Sequence, residues 1–226
     1  MKTLKNSFPL FLPIAYLLSI ILLTSAGPDG SGGACIIKQS VPKQLLIAST
    51  SNPELDQAIK DERDNLEQIF KVKPSFSLLN DQKQPNAYAY VSGHPDHRGE
   101  VYFGVALMGA ELEAWDKGPE AVAGILAHEY AHILQGIKQT RMNGKVRELH
   151  ADYLAGWYLG KKDRVISVEI SQFAKSVYEK GDFHFWSRNH HGTPEQRQKS
   201  MIAGFRNAQL DLGQAYREGQ RFVINL

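Results

Sequence analysis

Apolar and charged positions recur along the chain with the period of an α-helix, first between residues 53 and 70. Apolar side chains there are spaced so that they fall on one helical face: Leu55, Ile59, Leu66, Ile69 and Phe70. Ser51 and Asn52 precede this run, and residues of this type are favoured as helix N-caps. We therefore predict a first helix over residues 53–70.

Three short runs rich in aromatic or β-branched side chains come next. They cover residues 75–79, 87–92 and 100–105, and turn-forming residues separate them. Runs of this length and composition are typical of strands. They predict a small antiparallel sheet.

The remainder of the chain is predicted to be mostly helical. The predicted helices cover residues 106–114, 119–138, 145–159, 165–180 and 194–212. Pro119 and Pro194 stand where a first helical turn tolerates proline. A small antiparallel sheet packed on a helical bundle gives an α+β fold.

The first 26 residues differ from the rest. Lys2 and Lys5 precede an apolar run over residues 8–23, which small residues follow at positions 24–26. This order is typical of a secretory signal peptide, and an uncleaved signal anchor is the alternative. We expect an exported protein, periplasmic or secreted, that meets the membrane only if the anchor is retained.

The predicted signal is followed by a flexible linker over residues 27–42, whose first part is rich in Gly and Ser. Residues 43–226 then form the main domain. Removing residues 1–26 takes away two lysines and no acidic residue, so the formal net charge falls from +2 to 0. A near-neutral domain without a basic stripe is not expected to bind nucleic acid.

Candidate metal ligands and a candidate catalytic base occur in the run His128-Glu129-Tyr130-Ala131-His132. Residues four apart lie on one face of a helix, so His128 and His132 can bind one tetrahedral zinc ion. Glu129 stands beside that ion, where a carboxylate can act as general base toward a zinc-activated water. The alternative is a solvated helix that carries two histidines by chance.

A second helix offers the third ligand. Glu148 and Asp152 are four residues apart and share a face, whereas His150 points about 200° away from Glu148. Only one of these two sets can face the metal, and we choose Glu148. Two histidines and a glutamate leave a fourth position open for water, as in catalytic zinc sites. Asp152 can then accept the free ring N–H of a ligand histidine; an exposed acidic pair is the alternative.

Together these motifs resemble the M48-type gluzincin zinc metallopeptidases. The helix with His128 and His132 and the later Glu148-x-x-Ala151-Asp152 pattern match that family, and so do Pro85-Asn86-Ala87-Tyr88-Ala89 and the segment from His191 to Arg197. The last segment is also similar to one in bacterial neutral zinc metallopeptidases. The resemblance implies a zincin-like architecture with one Zn²⁺ per chain, bound by His128, His132 and Glu148. It also implies Glu129 as base and Asp152 behind the ligands.

The resemblance implies a substrate-binding role for Asn86, Ala87, Tyr88 and Ala89, which correspond to an edge strand beside the family's cleft. If this strand lies at the sheet edge, its backbone can align an extended polypeptide by β-augmentation. An ordinary structural strand is the alternative.

His191 and Arg197 flank the start of the last predicted helix. His191 can donate a hydrogen bond to the oxyanion of a tetrahedral intermediate, and Arg197 can pair with Asp152. Thr193 and Gln196 have the spacing of a capping box, so a capped helix start also explains this segment.

Two functional hypotheses follow. The first is a zinc-dependent metalloendopeptidase that cuts polypeptide substrates. The second is a non-catalytic polypeptide-binding protein of the same fold that retains zinc.

Overall fold

The computed structural model describes seven ranges of the chain: residues 36–37, 41–82, 85–91, 99–114, 118–142, 144–162 and 192–226. The predicted signal segment, residues 1–26, and the predicted helix over residues 165–180 lie outside the described residues.

A five-stranded sheet forms one layer of the fold. Its strands are β1 (Ile36–Ile37), β2 (Leu46–Ile47), β3 (Ser75–Leu79), β4 (Ala87–Tyr90) and β5 (Glu100–Gly104), in the order β1-β4-β5-β3-β2. β1 lies inside the segment predicted to be a linker. A short 3₁₀ helix, Lys43–Leu45, precedes β2.

The sheet is small, as predicted, but it is mixed, whereas the sequence predicted an antiparallel one. β2 pairs with β3, and β4 with β5, in antiparallel fashion, but β1–β4 and β3–β5 are parallel pairs. After β3 the chain skips one strand position in the sheet and forms β4. It then returns as β5, which runs antiparallel to β4 and occupies the skipped position. β5 therefore lies between them and must run parallel to β3.

Helices account for most of the described residues, and the α+β class is confirmed. They are α1 (Pro53–Phe70), α2 (Val105–Ala114), α3 (Gly118–Ile137), α4 (Gly144–Lys162), α5 (Pro194–Arg206) and α6 (Leu212–Ile224). α1 has the predicted limits, because the Asn52 side chain accepts hydrogen bonds from the backbone N–H groups of Glu54 and Leu55. None of the described helices is both long enough and apolar enough to cross a membrane.

The end of the chain differs from its prediction as a single helix over residues 194–212. α5 ends at Arg206, and a new capping box begins α6: the Asp211 side chain accepts from the Gln214 N–H at 2.8 Å, and Gln214 Oε1 accepts from the Asp211 N–H at 3.0 Å. The two bonds of this capping box satisfy the backbone N–H groups of Asp211 and Gln214, which would lie inside an unbroken helix. They therefore favour two separate helices.

α3 and α4 form the centre of the core. Side chains around the whole circumference of α3 are buried between Ala121 and Gln135, as are those of α4 from Glu148 to Leu159. α4 and α5 approach closely at Gly204, where a Cβ atom would collide with the Tyr153 carbonyl oxygen. This close contact brings the start of α5 over the polar residues of α4.

Candidate metal centre

Three side chains from α3 and α4 converge in the core. His128 Nε2 lies 3.0 Å from His132 Nε2. Glu148 Oε2 lies 3.3 Å from the first of these atoms and 3.4 Å from the second. All three residues are buried and form a candidate metal-binding group. The i,i+4 spacing on α3 and the packing of α4 beside it are enough to bring them together.

The separations suit a tetrahedral ion. Ligand atoms about 2.0–2.1 Å from one zinc lie about 3.3 Å from each other at the tetrahedral angle. The three observed separations, 3.0, 3.3 and 3.4 Å, are close to that value. Two imidazoles and a carboxylate are also donors that zinc commonly takes in catalytic sites. The residues present therefore fit a zinc ion.

His150 faces away from this group, as the helix-face argument predicts. Its Nε2 lies 3.0 Å from the Tyr216 carbonyl oxygen, and its Nδ1 lies 3.0 Å from Gln135 Nε2. Of the two alternative sets on α4, the structure directs Glu148 toward the two histidines.

Asp152 lies behind His128, its Oδ1 2.9 Å from His128 Nδ1. Arg197 donates to the same carboxylate twice, from Nε to Oδ2 and from Nη2 to Oδ1, at 2.8 Å each. Burial acts to raise the pKa of Asp152, but the charge and hydrogen bonds of Arg197 outweigh it and lower that pKa. Asp152 is therefore an anionic acceptor that directs the other nitrogen of His128 toward His132 and Glu148.

The capping alternative for Arg197 holds as well. Thr193 Oγ1 accepts from the Gln196 N–H at 3.2 Å, and Gln196 Oε1 accepts from the Thr193 N–H at 3.0 Å. The cap fixes the start of α5, and so it also fixes the point from which Arg197 reaches Asp152. His191, the proposed oxyanion donor, lies outside the described residues.

Sequence reasoning missed Gln135, which lies behind His132 as Asp152 lies behind His128. Its Oε1 is 2.9 Å from His132 Nδ1. The available signal was its position three residues after His132, on the same face of α3.

The two candidate ligand histidines differ in their affinity for protons. Burial acts to lower the pKa of His128, but the hydrogen bonds with Asp152 and Glu148 outweigh it and raise that pKa to about 9. For His132 burial prevails, and its pKa is lowered. A cation bound at both Nε2 atoms competes with the proton on His128, so metal binding is expected to release a proton.

Glu129 is fully buried beside these ligands. In the described part of the chain neither of its carboxylate oxygens makes a hydrogen bond of normal geometry. Burial raises the pKa of this carboxyl group to about 8, opposed by the charge of His128 and supported by that of Glu148. A carboxyl group buried so completely, with its pKa raised so far, is unusual and points to a chemical role.

β4 is not an edge strand. It pairs with β5 on one side and with β1 on the other, where Ile36 is opposite Ala89 and Ile37 opposite Tyr90. The condition that the strand from Asn86 to Tyr90 lies at the sheet edge is therefore not met. The reason is that residues 36–37, taken for linker, add a strand.

The backbone of β4 passes beside Glu129. Gly104 N–H donates to the Asn86 carbonyl at 3.0 Å. In antiparallel pairs such contacts alternate, so the backbone groups of Ala87 and Ala89 point away from β5. The Ala89 backbone also acts to lower the pKa of Glu129, which places β4 beside that carboxylate.

A small sheet on a helical bundle, with two histidines and a glutamate converging in its core, is compatible with a zincin-like fold that has a candidate zinc site. Residues 49–151 match the model of Peptidase family M48. The M48-type recognition is thereby confirmed over this segment, which includes Glu129 and all three candidate ligands. The match implies a zinc-dependent proteolytic enzyme. No curated protein and no solved structure matches the chain.

Proposed function

We propose that this protein is a zinc metalloendopeptidase whose metal is bound by His128, His132 and Glu148. One observation carries the proposal. Three buried ligand atoms converge at separations of 3.0 to 3.4 Å, next to the buried carboxylate of Glu129. A structural zinc site normally has four protein ligands, whereas three with an adjacent carboxylate suit hydrolysis.

A zinc ion held by His128, His132 and Glu148 would supply a bound water with a pKa of about 7 and would polarise the substrate carbonyl. Glu129 accepts the proton of the attacking water and returns it to the leaving nitrogen. Burial raises the pKa of this carboxyl group to about 8 without metal, and the charge of a zinc ion beside it would lower that pKa, which favours the carboxylate form that a base needs. Asp152 keeps a proton on His128 Nδ1 and so directs the lone pair of Nε2 inward.

An extended polypeptide substrate is proposed to align along Asn86, Ala87, Tyr88 and Ala89. The backbone groups of Ala87 and Ala89 point away from β5 and can form a β-ladder. Because β1 pairs with this same edge, substrate must displace β1 or enter beside it. His191 is proposed to donate to the oxyanion.

The first 26 residues support the further proposal that the protein acts after export, in the periplasm or outside the cell, with a membrane contact only through a retained anchor. Nucleic acid is not proposed as a partner.

The test is cleavage of a broad peptide library by wild type and by Glu129→Gln, with zinc content measured on the same samples. Glu129→Gln is expected to keep zinc and to lose at least 100-fold in kcat/KM, since general-base catalysis contributes about 10²–10⁴-fold. Glu120→Gln makes the same change in the first turn of α3 and is expected to cleave like wild type. Wild type that binds zinc but cleaves nothing would favour the non-catalytic polypeptide-binding protein instead.

A further inference from the structure

A second set of buried contacts continues inward from His132. His132 Nδ1 lies 2.9 Å from Gln135 Oε1, and Gln135 Nε2 lies 3.0 Å from His150 Nδ1. His150 Nε2 in turn lies 3.0 Å from the Tyr216 carbonyl oxygen of α6. Gln135, His150 and the ligand histidine are all buried, so water cannot readily replace any of these bonds.

The donor and acceptor of each hydrogen bond in this series follow from two backbone carbonyls, those of Tyr216 and Arg147, which can only accept. The Tyr216 carbonyl only accepts, so His150 carries its proton on Nε2 and accepts at Nδ1. Gln135 Nε2 donates there and also to the Arg147 carbonyl at 2.9 Å. This orientation leaves Gln135 Oε1 as the acceptor for the N–H of His132 Nδ1. His132 therefore presents the lone pair of Nε2 to His128 and Glu148.

The two candidate ligands on α3 are thus fixed by different C-terminal helices. The Asp152–Arg197 pair joins His128 to α5, and the Gln135–His150 pair joins His132 to the backbone of α6. Both Arg197 and Tyr216 lie beyond residue 151, where the match to the family model ends.

We infer that Gln135 and His150 are positioning residues that fix the tautomer and ring orientation of His132, with the Tyr216 carbonyl as the anchor. This inference rests on the proposed zinc site. It assigns to α6 a part in metal binding through its backbone. Among the described residues, no side chain of α6 is close enough to the candidate ligands to form a bond with them. Partners of this kind typically change metal affinity about 10–100-fold.

Zinc affinity, measured by chelator competition on the full chain, separates positioning from general stability. Gln135→Met keeps the size of the side chain but provides no acceptor, and is expected to weaken zinc binding about 10–100-fold. Gln135→Glu restores the acceptor for His132 and removes the donors to His150 and Arg147. We expect it to bind zinc more tightly than Gln135→Met. A merely structural role for Gln135 predicts the reverse, since Glu places a buried charge against two acceptors.

His150→Phe tests the next bond in the chain. Phenylalanine can keep the edge-to-face contact with the Tyr216 ring, whose centroid is 4.7 Å from that of His150, but it forms neither hydrogen bond. We expect weaker zinc binding, a shifted visible spectrum of the cobalt-substituted protein, and little further loss when this change is added to Gln135→Met. Tyr216→Phe is the matched control. It removes the hydroxyl contact with Thr140 but keeps the carbonyl, and should bind zinc like wild type.

The outcomes are distinguishable. If wild type binds no zinc, the proposed function fails. If wild type binds zinc and both Gln135→Met and His150→Phe bind it equally tightly, only the positioning role is overturned. Should either Gln135→Met or His150→Phe fail to fold, the other variant still decides: wild-type zinc affinity and an unshifted cobalt spectrum in it overturn the positioning role, and a Tyr216→Phe spectrum that shifts counts against a backbone anchor.

Discussion

Arg197 contacts both oxygens of Asp152, with Nε 2.8 Å from Oδ2 and Nη2 2.8 Å from Oδ1, and both residues are buried. This parallel pair of charge-assisted bonds connects the start of α5 to the partner of His128. Its geometry requires the planar guanidinium group, which lysine cannot reproduce.

Replacing Arg197 with methionine should therefore destabilise the protein strongly. The change leaves the Asp152 carboxylate buried without its main counter-charge, and breaking a buried pair in this way costs about 3–5 kcal/mol. Urea unfolding in the presence of chelator measures the loss without a contribution from metal binding. Arg206→Met, at the exposed end of the same helix, should change stability by less than about 0.5 kcal/mol. Equal effects of the two changes would contradict the account.

The contact between α4 and α5 makes a second prediction, at Gly204. An added Cβ would collide with the Tyr153 carbonyl oxygen, so Gly204→Ala must separate the two helices. We expect a loss of about 1–3 kcal/mol in the free energy of unfolding. In Gly109→Ala the added Cβ meets nothing within 4 Å, so this control should be neutral or should gain up to about 1 kcal/mol from helix propensity. Thermal unfolding of both variants checks the contrast.

A pH dependence follows from His150. Burial lowers the pKa of this histidine to about 4 in the folded protein, against an ordinary value of 6.5. The unfolded chain therefore binds the proton more readily between these two values. The stability that depends on neutral His150 is fully present above pH 6.5 and is lost as the pH falls toward 4, by about 3 kcal/mol in total. Parallel pH profiles of unfolding for wild type and His150→Phe isolate this contribution. If the free energies of unfolding of the two proteins change equally with pH between 6.5 and 4, His150 does not titrate in this way.

Loosening β1 should raise peptidase activity if substrate uses the same edge of β4. Ile37→Pro removes a backbone donor: the Ala89 carbonyl points toward β1, and in this parallel register it accepts from the N–H of the residue after Ile36. The net loss of about 1 kcal/mol for one hydrogen bond corresponds to about a fivefold rise in kcat/KM. Ile47→Pro makes the same change in β2, the strand at the opposite edge of the sheet, where Ile47 is paired with Leu78, and it should bring no such rise. If both proline variants behave alike, β1 does not limit access to β4.

Local signals account for what could be predicted from the sequence. The limits of α1 follow from the Asn52 cap and a regular apolar period. The grouping of His128, His132 and Glu148 follows from helical geometry, because i,i+4 spacing and a choice of face on α4 leave few arrangements. These inferences need no knowledge of distant contacts.

Features that depend on distant contacts escaped prediction. β1 has only two residues, which are too few to show the alternation of a strand. The sequence of a strand such as β3 also does not reveal whether its neighbour in the sheet is parallel or antiparallel. The break between α5 and α6 was marked only by the Asp211–Gln214 capping box. The contact of His150 with the Tyr216 carbonyl joins residues far apart in sequence, and one partner is a backbone atom that every residue possesses.

The central claim is that Glu148 completes a zinc site with His128 and His132. The most direct test is the zinc content of the purified full chain, compared with that of Glu148→Gln and of Glu113→Gln, an exposed control on α2. Wild type and Glu113→Gln are predicted to hold about one equivalent of zinc, and Glu148→Gln far less at the same free zinc concentration. Full zinc occupancy in Glu148→Gln would contradict the account.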